Sequence, residues 1–405
     1  MIPFSPPRMD KKTTDAVAEV LLSGWITSGP KTKEFEKQLA DYSGNEVTLC
    51  LNSATAGLEL VLRWFGVGPG DEVIVPAYTY CATANVVEHC GAKVIFVDVN
   101  AHDFNISLQN VEAAITPNTK VIMPVDFAGY PCDYDDLNDL VKRQDIRAKF
   151  QAHTEEQKKL GRILILSDAA HSFGALYYGT RAGSLTDISV FSFHAVKNLT
   201  TAEGGAIALN LPAPFNNNEI YNLLRIYSLH GQNKDALAKS KVGAWEYDVI
   251  SPGFKCNMTD IQAAIGLVEL SRYDDENLPA RKHIIDRYSA KLSSYAWAEI
   301  PQYESEYKIT SYHLFPLRIK GIVEAQRNSI IEEISKLNVA VNVHFKPVPM
   351  MTYYKNKGYN IADYPVAYDN YQREISLPVY FGLSDAQIET VLNAVIASVE
   401  KVVHV

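Results

Sequence analysis

The chain has 405 residues, 47% of them apolar and 21% charged, with a net charge of −9. That is room for one large domain and a smaller one of average globular composition, and the acidic balance argues against nucleic acid as the main partner. No apolar run nears the ~20 residues of a membrane span, the opening MIPFSPPRMDKK lacks the apolar core of a leader, and five scattered cysteines without CxxC spacing read as reduced thiols, so a cytoplasmic protein is expected.

An extended arm, IPFSPPR, precedes a helix near Thr13 to Leu22, where Val17, Val20 and Leu21 recur at helical spacing. SGWITSGP then reads as a loop. EVTLCL is strand-like, and Ser53 and Thr55 can cap a helix whose apolar face is Leu58, Val61, Leu62 and Phe65. From there strands (DEVIVP, AKVIFVDV, KVIMPVDF, RILILSDAA) alternate with helices (TANVVEHCG, SLQNVEAAI, DYDDLNDLVKR), followed by the strands DISVFSFH and GGAIALN. Short continuous Val/Ile runs alternating with helices predict a mostly parallel sheet covered on both faces. A charged, Gln-rich stretch at about 145–160 reads as a surface helical insertion.

Past Thr259 the texture changes. Helices are expected around Ile261–Val268 and over LPARKHIIDRYSAKL, then a strand (SYHLFPLRI), a helix near NSIIEEISKL and a strand (VAVNVHF). A final helix opens on the capping box Ser384–Gln387. The expected division is an N-terminal arm (1–12), a large domain (13–258) and a smaller α+β domain (259–405).

Four places carry possible chemistry. Lys197, in FSFHAVKNLTTAEGG, follows an aromatic strand and precedes a glycine pair. A solvated lysine is the ordinary reading, but a desolvated one has a lowered pKa and becomes a nucleophilic amine. Asp168 ends ILILSD, and ligands of open α/β sheets sit beyond the carboxyl ends of strands; a plain helix cap is the alternative. Asn52–Gly57 lies at a strand-to-helix turn suited to a phosphate or to ordinary capping. Tyr80 offers a flat ring to a flat ligand or simply fills core. Gly66–Gly70 resembles a dinucleotide loop but follows a helix and precedes a strand, the reverse of that fingerprint. The ten histidines show no metal-binding spacing, and no metal is expected.

Together SGWITSGPKTKEFE, NSATAGLELVL, GDEVIVPAYTYCAT, DAAHSFGA, GSLTDISVFSFHAVKNLTTAEGG, PGFKCNMTDIQAAIGL and VNVHF resemble the DegT/DnrJ/EryC1/StrS family of sugar aminotransferases over nearly the whole chain. The similarity is strongest to its branch making 4-amino sugars on nucleotide carriers. It implies a fold-type I (aspartate-aminotransferase-type) α/β fold and pyridoxal 5′-phosphate as cofactor. Lys197 would carry the cofactor, Asp168 would face its ring nitrogen, and Tyr80 and His171 would lie by the ring. Thr55, Ala56 and Ser192 would bind the phosphate. Asn257 would reach the phosphate in a neighbouring subunit, making a homodimer with shared sites. Trp25, Thr27, Ser28, His313, His344 and the loop near His230 would line the substrate cleft. The implied reaction moves an amino group from L-glutamate to a nucleotide-linked 4-keto-6-deoxy sugar, for a surface polysaccharide. An aminotransferase or dehydratase acting on a different ketone, such as a cyclitol, or a non-catalytic regulator that keeps the cofactor, stays open beside it. Where relatives carry Glu before the aspartate, this chain has Ser167.

Overall fold

The computed structural model describes residues 1–234 and 246–403. Its centre is a seven-stranded sheet: β1 (Val47–Leu51), β2 (Glu72–Pro76), β3 (Lys93–Val97), β4 (Thr119–Ile122), β5 (Leu164–Asp168), β6 (Ile188–Ser192) and β7 (Gly205–Leu209). The order across the sheet is β1-β7-β6-β5-β4-β2-β3. Strand β7 is antiparallel to β1 and β6, while the other pairings are parallel. The sheet is thus the mostly parallel one expected of the α/β fold. Strands β2, β4, β5 and β7 are buried along their length, which is why they read as unbroken apolar runs instead of alternating ones.

This topology sends the carboxyl ends of β1, β2, β5 and β6 to one edge, together with the start of β7. The helix Ala54–Trp64 leaves from the end of β1 and Cys81–His89 from the end of β2. Gly205 sits where β7 meets the first of these. A Cβ there would lie 2.4 Å from the backbone nitrogen of Ala54, so only glycine lets the two backbones approach.

The first helix runs Lys11–Ser23, slightly longer than its apolar periodicity predicts, because Asp10 caps it by accepting from the Thr13 amide. The insertion is helical as expected, in two short pieces, Gln144–Lys149 and Glu155–Leu160. Thr154 Oγ1 and Gln157 Nε2 donate to the Phe65 carbonyl at 3.2 and 3.0 Å. The insertion therefore ties down the C-terminal end of the helix that begins at Ala54.

A second, antiparallel sheet holds β8 (Ala298–Glu299), β9 (Phe315–Ile319) and β10 (Glu374–Leu377), with β9 in the middle. Helices Leu278–Leu292, Glu324–Lys336 and Asp385–Val403 pack with it around their own apolar core. The helix Asp260–Leu270, opened by the Thr259–Gln262 capping box, packs on the helices Lys11–Ser23 and Pro30–Ser43. That helix lies beyond the proposed boundary at 258/259 yet packs on the large domain, and Leu278–Leu292 is the element that passes to the second sheet.

One expected strand is absent. VAVNVHF makes β pairing only through isolated bridges, Val339 with Ile2 and Asn342 with Ser376. The sheet position is held by Glu374–Leu377 instead. Beyond Asn342 the chain leaves the sheet and carries His344 to the wall of a cavity.

Candidate active site

A cavity of about 460 Å³ opens at the shared strand edge. Of the residues expected from sequence, it brings together Thr55, Tyr80, Asp168, His171, Ser192, Lys197, His313 and His344. Asp168 is the last residue of β5 and Ser192 the last of β6, adjacent parallel strands, and Lys197 follows in the loop between β6 and β7. Residues distant in sequence meet because parallel strands end together.

Lys197 is desolvated. Burial lowers its amine from 10.5 to about 8, partly opposed by the nearby charge of Asp168. The amine makes no hydrogen bond among the described residues. Burial likewise pushes the Asp168 carboxyl above its usual range, against the lowering effect of Thr83, the Ala170 amide and Lys197. Thr83 Oγ1 donates to Asp168 Oδ2 at 2.8 Å, and Ala170 N–H to Oδ1 at 3.3 Å. Thr79 backs Thr83 at 2.8 Å. A second buried acid, Asp126, lies near Asp168 and accepts from Tyr134 and Ser172, each at 2.6 Å, and from the Cys132 amide at 2.9 Å. Ser167 joins this network through Tyr134 at 2.6 Å.

Three imidazoles line the same wall, and burial keeps them neutral. His344 is lowered to about 3, and His171 and His313 fall well below the ordinary histidine value. The nearby Lys197 charge adds to each shift. The rings of His171 and His313 lie 4.3 Å apart. His313 Nδ1 is 2.8 Å from Asn198 Oδ1, while Asn198 Nδ2 donates to the Ser311 carbonyl, so the Nδ1–H of His313 is the donor. His171 Nδ1 is buried without a partner among the described residues.

At another wall, Ser53 caps the helix Ala54–Trp64, accepting from the Ala56 amide at 3.1 Å. The first amides, of Ala54 and Thr55, have no intrahelical acceptor and sit at the positive end of the helix dipole. Ala56, its amide already engaged by Ser53, is not among the lining residues.

The remaining expected residues are not among those that line this cavity. Asn257 Nδ2 donates to Ser28 Oγ at 2.6 Å, and Trp25 Nε1 to the Ser28 carbonyl at 3.2 Å. Trp25, Thr27, Ser28 and Asn257 thus cluster just outside the lining, with Asn257 bridged to Leu51 at the end of β1. His230, in left-handed backbone geometry, pairs with Phe254, and residues 235–245 of its loop are outside the described residues. Sequence reasoning missed Phe4 and Ser5 of the arm, Thr79, Thr83 and Phe345. Thr79, Thr83 and Phe345 lie within stretches that carry the family resemblance but were not singled out there, and the arm carried only its extended Pro-rich composition.

The donor set suits pyridoxal 5′-phosphate. A desolvated amine, a buried carboxyl, a helix N-terminus with free amides and an unpartnered imidazole nitrogen share a single cavity.

A model of the DegT/DnrJ/EryC1/StrS aminotransferase family matches residues 7–396. The PLP form of Spr1654 from Streptococcus pneumoniae, assigned as a sugar aminotransferase, is similar in structure. Its TM-score is 0.94 at 45% identity, over 99% of each chain. Helicobacter pylori PseC, an aminotransferase involved in the biosynthesis of pseudoaminic acid, superimposes with a TM-score of 0.86 at 27% identity, over 99% of each chain. The spore coat polysaccharide biosynthesis protein SpsC of Bacillus subtilis is 36% identical over 400 residues, 97% of this chain and 96% of that protein.

Proposed function

The chain belongs to the DegT/DnrJ/EryC1/StrS aminotransferase family, and from that premise we propose that it transfers an amino group from L-glutamate to a nucleotide-linked keto sugar. It is a pyridoxal-phosphate-dependent sugar aminotransferase of fold type I. The observation that carries the reading is the half-buried, desolvated Lys197 amine, with a pKa of about 8, in one cavity with Asp168.

Lys197 would hold the cofactor covalently, Asp168 would face its ring nitrogen, and Tyr80 and His171 would flank the ring. The helix N-terminus with Thr55 and Ser192 would take the phosphate. When bound, the cofactor supplies an electron sink for the substrate carbon and a carrier for the amino group. Asp168, once facing a cation, ionises and keeps a proton on that ring nitrogen. A carboxylate at such a site favours the charged ring by about 1–3 pKa units, or ~1.4–4 kcal/mol. The Nζ of Lys197, once free, would take the proton from the donor's Cα and hand it on to the cofactor's carbon, and in the second half-reaction would carry a proton the opposite way, onto the acceptor's carbon. Thr83 keeps Asp168 oriented through its 2.8 Å hydrogen bond.

The proposed active unit is a homodimer. Exposed Leu21, Leu22 and Ile26 flank the Trp25–Ser28 patch, and Val249, Ile250 and Phe254 are exposed close by in sequence to Asn257. A second copy covering these side chains would bring Asn257 and the Trp25–Ser28 loop to its own cavity. No helix among the described residues is long and apolar enough to cross a membrane; a cytoplasmic setting is part of the proposal.

The test is an acceptor panel. Purified protein with glutamate and UDP-, GDP- or dTDP-linked 4-keto sugars should give an amino sugar by mass with at least one carrier. Product with a free cyclitol ketone and none with any nucleotide sugar would replace the proposed acceptor class.

A further inference from the structure

A buried carboxyl, a hydroxyl and an imidazole run in line from the second sheet to the cavity wall. Glu374 opens β10 and is fully buried. Its Oε1 shares a very short hydrogen bond with Ser376 Oγ. Ser376 Oγ in turn lies 2.9 Å from His344 Nδ1. The amide of His344 donates to the other carboxyl oxygen of Glu374 at 3.0 Å. The ring is held on its faces as well. It stacks on Phe4 with centroids 5.5 Å apart and meets Phe345 edge-on at 5.0 Å. The Tyr78 hydroxyl donates to the His344 carbonyl. With Nδ1 committed to Ser376, Nε2 is the nitrogen left for the cavity that His344 lines.

Proton positions along such a line are coupled, because the serine hydroxyl has one proton to give. When Glu374 is a carboxylate, Ser376 donates to Oε1. His344 Nδ1–H then donates to Ser376, and Nε2 presents a lone pair. When Glu374 is an acid, its proton is donated to Ser376 Oγ and the serine proton to Nδ1. The ring's single proton then sits on Nε2. Passing from the second state to the first moves one proton from Oε1 to Oγ and one from Oγ to Nδ1, and releases one from Nε2 into the cavity. We propose that Glu374, Ser376 and His344 form a proton relay that sets whether the cavity wall offers the substrate a donor or an acceptor at Nε2.

The surroundings leave both states within reach. Burial raises Glu374 to about 8, against the lowering effects of Ser376, the His344 amide, Arg327 and Arg318. Arg327 comes from the helix Glu324–Lys336 and Arg318 from β9, so both flanking elements contribute a cation. On the cavity side, His344 faces the charge of Lys197 and neutral His171. The ring stays neutral throughout, its own protonation lowered to about 3, so the change is one of tautomer and not of charge. Glu374 and Ser376 act through His344 and are positioning residues. The use of the proton at a substrate oxygen rests on reading this cavity as the seat of the keto sugar.

The test reads ring protonation directly in the cofactor-loaded protein. Histidine labelled with 15N in the imidazole gives distinct signals for protonated and lone-pair nitrogens. His344→Gln assigns the residue by loss of its signals. As pH rises through about 8, the lone-pair signal of His344 should move from Nδ1 to Nε2. Ser376→Ala should abolish that exchange, and Glu374→Gln, which cannot titrate, should remove its pH dependence. A pH-invariant tautomer in the native protein, or unaltered exchange in either variant, overturns the relay. No substrate is present in this measurement, so its failure is distinct from failure of the nucleotide-sugar reading.

Discussion

The reactivity of Lys197 can be measured before any substrate is known. Its amine falls from 10.5 to about 8 because burial disfavours the ammonium form more than Asp168 restores it. At pH 7.5 an amine of pKa 10.5 is neutral in roughly one molecule in a thousand, and one of pKa 8 in about a quarter, a gain of roughly 240-fold in nucleophile. The perturbation is pH alone. Cofactor-free protein is pulsed with an amine acylating reagent between pH 6 and 11, and labelling of the Lys197 peptide is followed by mass. Deprotonation makes the amine reactive, so labelling rises with pH to a plateau, with its midpoint near 8. A midpoint near 10.5 would mean that the cavity does not desolvate the lysine, and the argument for its role would fail.

Further expectations rest on separate contacts. Asp168→Asn should lower turnover by about 10- to 1,000-fold, the rate equivalent of the lost ~1.4–4 kcal/mol of ring-proton stabilisation, with an unchanged far-ultraviolet spectrum; undiminished turnover would show that the ring nitrogen is handled elsewhere. Gly205→Ala places a methyl 2.4 Å from the Ala54 nitrogen. It should cost about 1–3 kcal/mol in urea unfolding and weaken cofactor retention, because the helix N-terminus must shift. Buried Glu36, hydrogen-bonded to the Cys50 amide and Tyr221, is raised from 4.5 to about 7. Its folded state holds the proton more tightly, so its contribution is complete below pH 4.5 and lost as pH rises through about 7. Glu36→Gln should therefore flatten the stability–pH profile across that window by about 3 kcal/mol, as read by urea unfolding at pH 4.5 and 7.5.

Much of the site was legible because parallel sheets put function at strand ends. Asp168 closes an apolar run, and Lys197 sits between an aromatic strand and the Gly204–Gly205 pair. Adjacency of β5 and β6 then brings them into one cavity. Residues whose roles arise only from long-range contact were not legible. Thr83 reaches Asp168 across 85 residues of sequence, and nothing local in CATANVV marks it. Phe4 stacks on His344 from the other end of the chain. EISL, too short to announce itself, is the strand at 374–377, while the longer VAVNVHF gives up sheet pairing to deliver His344. The Trp25–Ser28 loop and Asn257 carry a clear sequence resemblance but do not line the cavity in one chain, and a surface that only a second copy would complete leaves no local pattern.

The account turns on one covalent attachment. Borohydride reduction of the pyridoxal-phosphate-loaded protein, followed by proteolysis and peptide mapping, should place the reduced cofactor on the Lys197 peptide alone. A cofactor-loaded protein whose Lys197 peptide comes through unmodified, or whose label sits on another lysine, would contradict it.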